Sequence, residues 1–139
     1  MDISINYWGV LLAGLSSMVI GAVYYSPGLY GKLWQRLAGI DEARYKKETP
    51  RIMPIMLLAA LIAAYILAHF MFMAHGFYHD SWLSAGVTTA LWLWAGISLT
   101  TLVVHNALDQ RPFKLTLLSC GNRFLSLLAM GLILGWLHP

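Results

Sequence analysis

The stretch LTLLSCGNRFLSLLAMGLILGW, Leu115 to Trp136, decides the fold. Its 22 residues are apolar enough to cross a bilayer, yet Arg123 stands near the middle with Asn122 beside it. A helix rises about 1.5 Å per residue, so a run of this length covers the roughly 30 Å hydrocarbon core. Working outward, three more segments reach the same length: Ile5 to Tyr25, Ile52 to His75 and Trp82 to His105, with the last span drawn as Leu115 to Leu137. The composition agrees: 59% of residues are hydrophobic and 11% charged, and the mean hydropathy is +0.65, outside the range of ordinary soluble domains. The expectation is an all-α membrane protein, a single four-helix transmembrane domain over residues 1–139. The leading MDISINYW has an acidic residue and no Lys or Arg where a signal peptide carries its basic region, so the first span is expected to be retained.

Lys and Arg accumulate on the cytoplasmic side of short loops. Lys32, Arg36, Arg44, Lys46, Lys47 and Arg51 fall between spans 1 and 2, Arg111 and Lys114 between spans 3 and 4, and the link GFYHDS carries none. Both termini are therefore expected outside. The pI of 9.2 reads as a topology signal and not as nucleic-acid binding, because eight of the nine basic residues flank membrane helices. Tyr7, Trp8, Tyr78, Trp82 and Trp136 mark an outer aromatic belt, and Tyr24, Tyr25, Tyr30 and Trp34 an inner one. Trp92 and Trp94 depart from this pattern, falling near the midplane of span 3, where they pack against neighbouring helices or line a cavity.

The first loop is more than a spacer. Leu29, Tyr30, Leu33, Trp34 and Leu37 recur at helical spacing opposite Lys32, Gln35 and Arg36, the pattern of an amphipathic helix lying in the interface over about 29–38. Gly39 suits the end of that helix, Asp41 suits the cap of a short charged one holding Glu42 and Lys46, and Thr49-Pro50 is expected to restart the chain as span 2. For helix packing in lipid, small residues four apart are the signal. Span 1 carries Gly9, Ala13, Ser17 and Gly21, span 2 carries Ala60, Ala64 and Ala68, and span 4 ends with Gly131 and Gly135. These faces either close one bundle or join subunits; the Gly9, Ala13, Ser17, Gly21 ladder is the expected subunit interface of a homo-oligomer.

The element YYSPGLYGKLW at Tyr24 to Trp34, with Asn6 before it and RPFKLTLL and MGLILGW after it, resembles a family of small bacterial four-helix membrane proteins of unknown function. The resemblance covers nearly the whole chain and implies an inner-membrane protein with four spans, without implying a reaction. Tyr24 stands where the family pattern has Trp, Tyr30 where it has Phe, and Ser119, Gly121 and Asn122 where it has Asn, Gly and an aromatic.

Arg123 lies nine residues beyond Lys114, about 13 Å along a regular helix. None of the six carboxylates (Asp2, Asp41, Glu42, Glu48, Asp80, Asp109) falls inside a span, so no ion pair is available there. A central arginine costs about 2.5–3.5 kcal/mol on insertion scales and normally faces protein or water. Ser16, Ser17, Ser98, Ser119, Asn122 and Ser126 lie at similar depth and offer hydrogen-bond acceptors. Two readings follow: a structural arginine held by these oxygens, or a ligand site of Arg123, Asn122, Ser119, Ser98 and Ser17 for a small anion or lipid phosphate.

His75 and His79 are spaced four apart with Asp80 adjacent, but Gly76 weakens the helix there, and His69, His105 and His138 sit at other depths. No metal or haem site is expected, and the lone Cys120 permits no intrachain disulfide. No nucleophile has a base beside it, and no phosphate loop or membrane carboxylate pair is present, so neither an enzyme nor a cofactor is expected. Span 1 also lacks the acid that small multidrug exporters use. The expected partners are membrane lipids and further membrane-protein subunits. The expectation is a non-enzymatic inner-membrane protein assembling through small-residue faces, as a subunit or stabiliser of a larger membrane complex. Its alternative is a small oligomeric anion channel or transporter using Arg123.

Overall fold

Three of the helices begin where a polar side chain accepts from a free backbone N–H group. Asn6 accepts from Gly9 N to open α1 (Tyr7–Tyr24), Asp41 from Arg44 N to open α3 (Glu42–Tyr78), and Ser81 from Ser84 N to open α4 (Trp82–Leu93). Between α1 and α3 lies the short α2 (Gly31–Ala38), which ends at Gly39 with φ of 70°, a left-handed conformation that suits glycine. A π-helical segment (Trp94–Leu99) joins α4 to α5 (Thr100–Leu108), and α6 (Phe113–Trp136) follows. The computed structural model describes residues 3–139; Asp2, one of the carboxylates counted above, lies outside them. Among the described residues there is no strand. Four helices are long and apolar enough to cross a membrane: α1, α3, the continuous run Trp82–Leu108, and α6. The chain is a four-span helical membrane protein.

The sequence expectation fails at Pro50. In place of a short charged helix and a restart, α3 is one helix of 37 residues running through both Pro50 and Pro54. Each proline removes a ladder N–H, but the two lie one turn apart on the exposed end of the helix. There the freed carbonyls meet polar surroundings instead of a packed neighbour, so the helix is not forced to break. Glu42 and Lys46 pair across one turn at 2.7 Å, as their spacing suggests. The π-segment had no sequence expectation behind it.

The four spans converge on small residues. Ala13, Ala60, Ala64, Ala68, Ala85 and Ala90 are buried together with Leu67, Met71, Leu127, Met130 and Leu134. The closest crossing is α4 on α6. A Cβ added to Gly86 would run into the carbonyl oxygen of Gly131, and one added to Gly131 into that of Gly86. A Cβ on Gly135 would sit 2.8 Å from the Trp82 carbonyl oxygen. This core occupies the end of the bundle where the termini meet: the Asn6 amide donates to the Leu137 carbonyl at 2.7 Å. At the opposite end, where α2 lies, α3 is exposed on every face from Pro50 to Met56, whereas Leu115, Thr116 and Leu118 of α6 stay buried.

Candidate functional site

Arg123 lies on the core-facing stripe of α6. It precedes Leu127, Met130 and Leu134 by four, seven and eleven residues, a spacing that places all four on one helical face, and those three are buried. Arg123 itself is exposed. Thr116 and Cys120, seven and three residues before it on the same side of α6, are buried as well, so Arg123 is an exposed cation on an otherwise covered stripe. Among the described residues the guanidinium has neither an ion-pair partner nor a hydrogen bond.

Long helical side chains lean toward the helix N-terminus, so Arg123 lies over the turn of Ser119 and points to the α2 end. The C-cap of α1 at this end is Tyr25, which is half-buried. Tyr25 begins an aromatic cluster: its ring centroid is 5.1 Å from Tyr24 and 5.5 Å from Trp34, and Trp34 is 5.9 Å from Tyr45. The cluster joins the end of α1 to α2 and α3.

The backbone of α6 is held on two sides just before Arg123. Tyr24 Oη donates to the Leu118 carbonyl at 2.9 Å, and Trp94 Nε1 to the Cys120 carbonyl at 3.0 Å. Trp94 also meets Phe124 edge-on at 5.0 Å. Glycine at 121 permits the first contact, since a Cβ there would stand 2.8 Å from Tyr24 Oη. Trp94 sits at the first residue of the π-segment, so the widened turn and the hydrogen bond to α6 occur together. Asn106 adds a third tie through the Thr116 hydroxyl at 3.1 Å.

Of the residues proposed from sequence to serve Arg123, Ser119 shares its locality, one turn away. Ser17 and Ser98 are partly buried and make no hydrogen bond with the guanidinium. Ser126 is fully buried, and Ser16 donates to the carbonyl of Ala13 at 2.7 Å. Asn122 is adjacent in sequence, and its Oδ1 is enclosed and has no hydrogen-bond partner. Tyr25 was read from sequence only as a belt residue; its place one step past the end of α1 was the available signal.

The small-residue ladder of α1 divides. Gly9 lies 3.5 Å, measured from an added Cβ, from Leu134 of α6, and Ala13 is fully buried. These two rungs serve packing within one chain. Ser17 remains partly exposed and Gly21 has open space around it. Gly131 and Gly135 are likewise covered by α4. Gly86, the partner of Gly131, had not been singled out, although it stands four residues before Ala90 in the same small-residue spacing.

At the termini end, the Trp82 ring stacks with two imidazoles, His75 at 3.7 Å and His138 at 5.4 Å between ring centroids. His79 is the left-handed C-cap of α3, with φ of 57°, so it does not share a helical face with His75. Among the described residues no group of three metal-ligating side chains gathers. Trp92, by contrast with Trp94, is 75% exposed at mid-span. It borders a groove of about 550 Å³ between α3 and α4 that Phe70, Met73, Phe77 and Ile97 also line.

The family described as "Protein of unknown function (DUF1761)" matches residues 8–135, nearly the whole chain. The chain belongs to this family. No curated protein and no solved structure matches it.

Proposed function

We propose that this member of the family is a non-enzymatic membrane protein that works by assembly, pairing with a second copy of itself through the Trp92 face to form a unit of a larger membrane complex. Trp92 carries this reading. A tryptophan normally sits at the headgroup level, where its ring is in apolar surroundings and its N–H is wet. Trp92 stands instead ten residues past Trp82, about 15 Å deeper, and its indole N–H has no partner among the described residues. In hydrocarbon that donor goes unsatisfied, at a cost of about 1–3 kcal/mol on protein scales.

A second copy covers the ring, and the Tyr78 hydroxyl, which lines the same groove, is an acceptor on that face for the indole N–H. The protruding ring and the groove beside it lie on one face, the arrangement a two-fold interface needs, in which each ring enters the other subunit's groove. The Trp82–Leu108 run is also the least covered of the four spans. Assembly through α1 is the weaker route, since Gly9 and Ala13 are already enclosed.

The same reading places the protein in the bacterial inner membrane with α2 along the cytoplasmic headgroups and both termini outside. Its support is the cluster of basic residues between α1 and α3 and between α5 and α6. Mass measured in lipid nanodiscs tests the assembly: the native chain is expected to be a dimer or larger and Trp92→Ala a monomer. A native monomer, or an unchanged oligomer in Trp92→Ala, removes the proposal. Alkaline phosphatase fused after Pro139 tests the orientation: it should be active, and an inactive fusion reverses the topology.

A further inference from the structure

α1 and α6 touch at two levels. Near the termini, a Cβ on Gly9 would stand 3.5 Å from Leu134, and toward the α2 end Tyr24 Oη donates to the Leu118 carbonyl at 2.9 Å. Along this seam lies a groove of about 570 Å³ that shares no lining helix with the groove beside Trp92. α1 contributes Val19 and Val23 from its last two turns, and α6 contributes Leu125, Ala129 and Leu132, so its walls are apolar. Leu125 to Leu132 covers about 10 Å of helix. At the α2 end the turn after α1 completes the wall with Leu29 and Tyr30, the Tyr30 ring lying 4.8 Å from that of Tyr24.

The charge beside this end of the groove has one sign. Tyr30 is the N-cap of α2, so Lys32 lies within one turn of the groove lining, and Arg36 stands one turn further on the same face. Both are exposed and neither has a salt-bridge partner among the described residues. α2 carries no carboxylate. Those of the neighbouring segments are engaged: Asp41 accepts from Arg44 N, Glu42 pairs with Lys46 and Asp109 faces His105. Arg111 adds a third cation at the far end of α2, donating to the Ala38 carbonyl at 3.3 Å.

We propose that the groove holds one acyl chain of an anionic phospholipid, whose headgroup phosphate meets Lys32 and Arg36. Hydrocarbon outside the groove is as apolar as hydrocarbon within it, so the chain alone is not selected. The cations supply the selection, since basic residues near the headgroups favour anionic over zwitterionic lipid. The groove supplies the position, placing one chain against fixed walls directly beside those cations. A second copy is the poorer occupant. In a two-fold pairing through this seam the same patch meets itself, and Lys32 and Arg36 of both chains would gather at one end with like charge. The site lies on α1 and α6, so it stands whether or not the chain pairs through Trp92.

The test uses the full-length protein in nanodiscs of phosphatidylcholine with one fifth phosphatidylglycerol. Lipids retained by the protein are identified and counted by native mass spectrometry, and phosphatidylglycerol with a diazirine in its acyl chain maps the contact. Adducts are expected on Val19 to Tyr24 and Leu125 to Leu132, with phosphatidylglycerol retained above its share of the disc. Ala129→Phe fills the groove and should lower that retention several-fold. Lys32→Gln should lower the preference for phosphatidylglycerol over phosphatidylcholine about fivefold. Ile62→Phe, which adds the same ring at an exposed position of α3, should change neither. If Ala129→Phe does not fold, as judged by circular dichroism, Val23→Trp narrows the groove from α1 and carries the same expectation. The proposal is overturned if the folded groove variant retains as much phosphatidylglycerol as the native chain, or if Lys32→Gln keeps the native preference. A loss of oligomer mass in the groove variant at unchanged lipid retention identifies a second copy as the occupant and overturns it as well.

Discussion

Gly86 and Gly131 face each other so closely that neither can carry a side chain: a methyl on either would overlap the other's carbonyl oxygen. The contact is reciprocal and backbone to backbone, so no rotamer change relieves it. In lipid, close backbone approach of this kind supplies the packing that the hydrophobic effect cannot. Gly131→Ala should therefore lower stability by about 1–3 kcal/mol, the usual range for overpacking. Gly21→Ala, with open space around it, should be near neutral or slightly stabilising. Thermal unfolding in one detergent compares them directly. Equal melting temperatures for the two variants would show that α4 and α6 do not meet here.

Tyr24 and Gly121 form a second pair in which one residue's absence of a side chain makes room for the other's hydroxyl. The phenol reaches the Leu118 carbonyl at 2.9 Å because nothing projects from position 121. Tyr24→Phe removes one hydrogen bond, at a cost of about 1 kcal/mol. Gly121→Ala should cost a similar amount in the native chain but little in the Tyr24→Phe background, because the oxygen it displaces is gone. A double-mutant cycle measures the difference. Simple additivity of the two effects would count against the pairing.

The contrast between these pairs and the rest of the fold explains what the sequence revealed. Spans were legible because a bilayer sets one length and one composition, and the helix caps at Asp41 and Gly39 were legible because they depend on local chemistry alone. Pro50 misled because the cost of a proline depends on whether its freed carbonyl is buried, which is a tertiary fact. The division of the small-residue ladders was hidden for the same reason. Gly9 and Gly21 look alike in sequence, and only the position of Leu134 separates them. The π-segment leaves no composition signal, and its registration with the Trp94 to Cys120 hydrogen bond appears only in three dimensions. Arg123 stood out at once in an apolar run. That its face is shared with Leu127 and Met130 could have been counted from sequence; that it would stay exposed on that face could not.

The last prediction concerns Asn122, the residue beside that arginine. Its Oδ1 is enclosed and unpartnered, and exchanging the amide's oxygen and nitrogen would only place a donor where no acceptor is recorded. An enclosed acceptor without a donor costs about 1–3 kcal/mol, whereas an apolar group of the same shape carries no such penalty. Asn122→Leu keeps the branching and nearly the size of the side chain, so it should raise the unfolding temperature of the folded protein. Asn122→Ala separates the polar term from the packing term, since it removes the amide but also leaves a void, and it should fall below Asn122→Leu. If Asn122→Leu melts below the native chain, the enclosed oxygen is met by a donor in the folded protein and the penalty argued here is absent.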